Sequence, residues 1–309
     1  MATTVESGRT LAIVLNWCAE DDTAACVQSL LMERQTTTTL DILVVDNASP
    51  DGSGDRLAAQ FPTLSYLQTG ANLGYAGGNA QAMQLALARG YEFILIINDD
   101  ATVRPGCVRL LLEVMASEPG VGACAPTIVH GQDQQDIIWW AGGRFQWWKA
   151  LGTHDHYGTR LQQHAFPQLG PQPITFACGC VVLFRSSAIR ACGSFRPEFF
   201  AYAEDVELSL RLVSAGWGIR WVPAAVAVHA VRYPAAPPTP WAMQLRDTNR
   251  RRLARAHYRG WKRALFALVF SGSRLVLAGR YLANGDRARA RAVISALGEP
   301  AGERAGTTG

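Results

Sequence analysis

Three short runs, Leu11–Leu15, Ile42–Val45 and Phe93–Ile97, are apolar throughout. Each gives way at once to polar residues: Asn16-Trp17, Asp46-Asn47 and Asn98-Asp99-Asp100. Between the runs, apolar residues recur at helical spacing. Cys26, Val27, Leu30 and Leu31 follow the capping candidates Asp21-Asp22-Thr23, and Met83 and Leu87 share one side of a helix expected over Asn79–Arg89, with Gly90 as its stop. Pro105 opens another helix, with Val108, Leu111, Leu112 and Met115 inward. A continuous apolar strand is buried on both faces, whereas a half-buried strand alternates. The pattern therefore predicts an α/β fold with a mostly parallel central sheet and helices on both faces.

Such sheets bind ligands beyond the carboxyl ends of their strands. Asn and Asp also favour turns, so a single polar exit says little. Three exits at one sheet edge point to a site. In "IINDDATV" the residues Asn98 and Asp100 are two apart, so they face the same side of a strand. Ionised carboxylates leaving an apolar strand need a counter-charge. Mg²⁺ or Mn²⁺ supplies one, using few protein carboxylates and completing its shell with water and phosphate oxygens. The competing reading is a carboxylate pair capping the helix that follows. The segment "NLGYAGGN", Asn72 to Asn79, reads as a loop whose Gly74, Gly77 and Gly78 let the backbone approach a diphosphate at a helix start. It matches neither GxGxxG nor GxxxxGK[ST], which removes the dinucleotide and P-loop fingerprints.

The chain has 309 residues and a formal net charge of +4, distributed unevenly. From Gln244 onward there are fourteen Arg/Lys against four Asp/Glu, leaving fifteen against twenty-one before it. An acidic body with a basic end suits a phosphate-rich partner. Seven cysteines at irregular spacing include no CxxC pair, which argues against structural zinc and for a reducing compartment. The opening residues lack the build of a signal peptide. The late apolar stretch Ala264–Phe270 reads as too short to span a bilayer, with Arg274 interrupting its continuation.

The motifs "VLNW", "VVDNAS", "NLGYAGGN", "NDDATV", "FFAYAEDVELSLR" and "RDTNRRRLAR" occur in that order between about Ile13 and Arg255. Together they resemble the bacterial family 2 glycosyltransferases, in the branch that holds rhamnosyltransferases of cell-surface polysaccharide assembly. The resemblance implies the GT-A fold, inversion at the transferred sugar and a nucleoside diphosphate donor. It implies that Asp46 contacts the base or ribose, that Asn16 and Trp17 border the base with Asn47 beside them, and that Asn72, Gly74, Gly77 and Asn79 surround the nucleotide. It makes Asp100 a metal ligand, as the last acid of a DxD motif whose first position is here Asn98, with Asp99 between them. Glu204-Asp205 matches the family's acidic pair, with Asp205 as general base; the competing reading is an N-cap for the following helix. His229 matches a histidine that completes the metal site in some members, against a packed histidine. Arg250 is placed to hold a diphosphate.

These readings divide the chain into a catalytic domain, 1–240, and a basic helical extension, 241–309, with a flexible end. The nucleotide-binding half covers about 10–125 and the acceptor half about 126–240, including the aromatic stretch "WWAGGRF" with Trp147 and Trp148. The Pro-rich "YPAAPPTP" reads as a stiff connector. The arginines beyond it fit three readings: a solvated helix face, a nucleic-acid site, or attachment to the anionic cytoplasmic leaflet. With no nucleic-acid module present, the sequence favours a cytoplasmic protein peripheral to the plasma membrane's inner face. The expected donor is dTDP- or UDP-linked and the acceptor a glycan or lipid-linked sugar. A nucleotidyltransferase and a non-catalytic binding module on the same fold are the rival readings.

Overall fold

The computed structural model describes residues 8–298 apart from 38, 132–135, 232 and 235. The end expected to be flexible, the opening residues and part of the Pro-rich connector therefore lie outside the described residues. Strand β1 (Thr10–Asn16) is buried along its whole length, and helix α1 (Glu20–Arg34) leads from it to β2 (Leu40–Asp46). Helix α2 (Ser53–Gln60) leads to the short β3 (Ser65–Gln68), and helix α3 (Gly74–Ala88) to β4 (Phe93–Asn98). These four strands run parallel in the order β4-β1-β2-β3. Right-handed crossovers put α1 and α2 on one face, and the reversal between β3 and β4 puts α3 on the other. The crevice at that reversal lies between β1 and β4, where Leu15 pairs with Asn98.

Beyond β4 the sheet becomes mixed. The turn Asp99-Asp100 leads into β5 (Ala101–Val103), then α4 (Cys107–Ser117) and the fully buried β6 (Val121–His130). Glu33 of α1 closes the start of α4, accepting from the Gly106 and Val108 amides at 2.5 and 2.9 Å. Short strands β7 (Ile138–Trp140), β8 (Phe145–Gln146), β9 (Leu151–Gly152) and β10 (Gln172–Pro173) follow. Strand β11 (Val181–Arg185) lies antiparallel between β4 and β6. After α5 (Ser186–Cys192) and α6 (Glu204–Ser214), the long β12 (Gly218–His229) runs parallel to β6 and antiparallel to β5. The β5 pairing sets His229 opposite Ala101, one residue past Asp100.

Three further helices complete the described chain: α7 (Pro240–His257), α8 (Gly260–Ala283) and α9 (Arg287–Gly298). Residues 264–270 belong to α8, a single 24-residue helix of which little is buried, so the expectation of a stretch too short to span is corrected. By length and composition alone it could cross a membrane. Arg274 does not interrupt it, because its charge folds inward onto Asp247 of α7 at 3.0 Å.

Candidate active site

The three polar exits meet at one edge. Asn16 and Asp46 are register partners on β1 and β2 and are almost completely buried. The Asn16 amide donates to Asp46 at 2.8 Å and to Ser49 and Ser53 at 3.0 Å, while its oxygen accepts from Ala19 and Thr23. Asp46 also accepts from Ser49 Oγ at 2.5 Å and from Gln68 at 2.7 Å. The two residues thus form the floor of the crevice, and Trp17, 47% exposed, stands at its rim. The expected capping acids Asp21 and Asp22 lie inside the first turn of α1, whose N-cap is Ala19.

The glycine segment is corrected. Gly74, Gly77, Gly78 and Asn79 lie in α3, which starts five residues before the expected Asn79. Asn47 fastens its entrance, accepting from the Leu73 amide and donating to Asn72, each at 3.0 Å. Gly74 has φ +68, and a Cβ there would come within 2.6 Å of the Phe200 carbonyl. Close packing of backbone against the turn before α6 therefore accounts for this glycine. Asn79 is fully buried and donates to the Tyr75 carbonyl at 3.0 Å, while its Oδ1 has no partner among the described residues.

Asp100 and His229 come together across 129 residues of sequence, with the imidazole Nε2 3.1 Å from the carboxylate. Burial works against ionisation of Asp100, but the hydrogen bond and charge of His229 outweigh it and hold the carboxyl below its usual value. Asp99 behaves oppositely. Burial and the Asp100 charge push it up to about 7. Asn98 Oδ1 and His229 Nδ1 are buried without partners among the described residues. One carboxylate, one imidazole and an orphaned amide oxygen fit a hard divalent cation that draws its other ligands from phosphate and water. No group of three or more acids, histidines or cysteines suited to a metal occurs among the described residues.

Glu204 and Asp205 open α6. The N-cap is Ala203, so the capping reading of Asp205 is corrected. Its carboxylate instead accepts from the Gly179 amide at 2.9 Å and the Val206 amide at 2.7 Å. Burial raises its pKa, and these amides offset part of the rise. Trp139 bridges the two acidic sites, its ring meeting His229 at 4.6 Å and His154 at 4.7 Å, edge to face. Burial holds His154 below its usual value, and its bond to the Trp139 carbonyl and the charge of Asp205 offset part of that fall.

Glu204 is buried, and its Oε2 has no partner among the described residues. Burial and the Asp205 charge raise its pKa well above the ordinary range. The folded protein therefore holds a proton there that the unfolded chain releases, and stability falls as pH rises from the unfolded value toward the folded one. Glu204→Gln removes this titration. Its melting-temperature advantage over wild type is expected to be larger at pH 8 than at pH 5, by a few degrees (order of magnitude). Equal differences at both pH values would mean that the acid is not burdened in this way.

The turn before α6 is strained: Phe200, Tyr202 and Ala203 have φ of 58, 70 and 69°. It is held by Asn249 of α7, whose buried amide nitrogen lies 2.7, 2.8 and 2.8 Å from the carbonyl oxygens of Phe199, Ala201 and Tyr202. Asn249→Ala is expected to destabilise the fold by about 1–3 kcal/mol and to lower turnover more than donor affinity. Urea unfolding and steady-state kinetics check both. The role of Asn249 was not legible in the sequence, because it depends on a turn some fifty residues away. Arg250 was expected beside a donor diphosphate. It is buried, pairing with Asp247 at 2.9 Å and donating to the Lys149 carbonyl at 2.8 Å. Of the aromatic segment, Trp140 is core and Trp148 is exposed, while Trp147 packs on Tyr258 and Trp261.

A parallel run of strands with the antiparallel β11 inserted between β4 and β6, and acids at the strand exits, is the GT-A arrangement of nucleotide-sugar transferases. The chain is similar in fold to GalNAc-T7 with UDP, GalNAc and Mn²⁺ (TM-score 0.62, 13% identity, covering 79% of this chain and 48% of that one). It is also similar to the mannosyltransferase PcManGT of Pyrobaculum calidifontis in complex with GDP-Man and Mn²⁺ (TM-score 0.56, 16% identity, 94% and 86%). The chain belongs to glycosyl transferase family group 2, whose model matches residues 93–289. It is 29% identical to the N-acetylglucosaminyl-diphospho-decaprenol L-rhamnosyltransferase of Mycobacterium tuberculosis over 65% of this chain and 68% of that protein. It is 26% identical to the galactofuranosyltransferase GlfT1 of the same organism, over 66% and 64%. The chain thus spans about two thirds of these relatives and under half of GalNAc-T7.

Proposed function

We propose that the protein is an inverting glycosyltransferase that moves a sugar, rhamnose from dTDP being the first choice, onto a lipid-linked acceptor. The observation that carries this reading is the pairing of two acid sites through Trp139: Asp100 with His229 on one side, Asp205 near His154 on the other. Similarity to the decaprenol rhamnosyltransferase supports the sugar and the acceptor class. The family assignment favours sugar transfer over nucleotidyl transfer.

In this reading Asn16 and Asp46 shape the pocket for the nucleoside, with Trp17 at its rim and Asn47 and Asn72 fixing the entrance of α3. Asp100 and His229 would hold Mg²⁺ or Mn²⁺, which when bound neutralises the leaving diphosphate. Asp205 takes the proton from the acceptor hydroxyl as that oxygen bonds to the anomeric carbon and the bond to the diphosphate breaks. Its raised pKa suits a base, because burial weakens the hydration that would stabilise the carboxylate. Residues 10–125 serve the donor and 126–240 the acceptor. The outer face of α8 lies on the inner leaflet of the plasma membrane, which makes the protein peripheral and cytoplasmic.

The test is calorimetric titration of dTDP, UDP and GDP, each with and without Mn²⁺. Binding of dTDP that requires Mn²⁺ is expected. Preference for UDP or GDP would replace the sugar, and no binding by a folded sample would overturn the reading.

A further inference from the structure

Between α7 and α8 lies a cavity of about 430 Å³, with Trp148 at its edge. Four cationic side chains line it, Lys149, Arg246, Arg250 and Arg274, with Asp247 as the sole carboxylate in its lining. Asp247 pairs with Arg250 at 2.9 Å and Arg274 at 3.0 Å. The Arg274 Nε is buried and has no partner among the described residues. Arg246 is exposed and forms no ion pair among the described residues. The cavity is therefore strongly cationic and holds an unmet donor. Apart from Ser273 and the Tyr281 hydroxyl, its remaining wall is apolar, including Met243, Phe270 and Leu277.

The cavity has two distinct surroundings. On one side is the outer face of α8. Trp261, Leu265, Leu268, Leu275 and Leu282, spaced by three, four or seven, fall on one stripe, and all are exposed. Gly272 and Gly279 continue the stripe with open space around them. Val269, 43% exposed, belongs both to this surface and to the cavity wall. On the other side, Arg246 stands 5.9 Å over the Tyr202 ring, two residues before Glu204. Trp148 also lines the open cleft that contains His154.

We propose that this cavity is the diphosphate subsite of an isoprenoid-linked acceptor. Arg246 and Arg274 hold the diphosphate, the isoprenoid leaves along the apolar stripe of α8, and the terminal sugar extends toward Asp205. The inference rests on the glycosyl-transfer reading and adds to it the place where the acceptor is anchored. A guanidinium suits a diphosphate because its fork of donors bonds two oxygens at once.

The test is titration of farnesyl diphosphate into the full chain, alone and with saturating nucleotide and Mn²⁺, alongside inorganic pyrophosphate and farnesol as separate probes. Farnesyl diphosphate is expected to bind together with the nucleotide, at least about tenfold more tightly than either probe, since both halves of the cavity are used. Arg246→Gln and Arg274→Gln are each expected to weaken it about tenfold or more with nucleotide affinity unchanged within about twofold. Arg246 is exposed, so that variant folds even if loss of Arg274 disturbs Asp247. Displacement by nucleotide, pyrophosphate binding as tightly as farnesyl diphosphate, or unaltered affinity in the Arg246 variant would each overturn the proposal. Nucleotide binding that persists in these cases leaves the glycosyl-transfer reading intact; loss of nucleotide binding in wild type sinks that reading instead.

Discussion

Asp205→Asn is expected to lower sugar transfer by about 10²–10⁴-fold, the usual contribution of a positioned general base, with Mn²⁺-dependent donor affinity unchanged within about twofold. The substitution keeps the shape of the side chain, and its oxygen can still accept from the Gly179 amide, so α6 should stay in place. It also removes a buried charge from beside Glu204, so the variant should melt no lower than wild type. Loss of activity with stability retained separates a base from a helix-positioning residue. Single-turnover transfer, donor titration and thermal melting make the comparison. A variant that turns over normally would remove Asp205 from the chemistry.

The second large effect concerns Asp100→Ala. Mn²⁺-dependent nucleotide affinity is expected to fall by about 100-fold or more, since even outer-shell partners of a metal cost about 10–100-fold. Metal-independent binding through the crevice floor should persist, because Asn16, Asp46 and Asn47 make their bonds without Asp100. The variant also takes from His229 its carboxylate partner. Titration with and without Mn²⁺ reads the two contributions apart. Equal losses in both conditions would point to a collapsed pocket and away from a metal ligand.

The half of the molecule legible in the sequence is the half whose strands are buried on both faces. Leu11–Leu15, Ile42–Val45 and Phe93–Ile97 carry enough apolar side chains to announce themselves, and their parallel pairing follows from the helices between them. Strand β3 was not legible, because only four residues form it and none is fully buried. Helix α3 begins earlier than its pattern suggests, because glycines in a helix are disfavoured locally, and the first of them, Gly74, is required by the Phe200 carbonyl. The meeting of Asp100 with His229 could be expected only from family resemblance; the register of β5 on β12 creates it. Arg250 shows the opposite difficulty. An arginine in a basic run looks free in the sequence, while its carboxylate partner sits three residues back on the same helix.

The strained turn ahead of α6 has a mechanical consequence. Its three carbonyls hang from one amide of α7, and α7 is tied through Asp247 to Arg274 on α8. Under the proposed function, the surface-facing helix and the acid at the start of α6 are thus connected through two side chains of α7, Asp247 and Asn249. Should α8 dock on a surface as proposed, a load on that helix would reach the turn before α6 by this route, while the crevice floor of Asn16 and Asp46 takes no part in it.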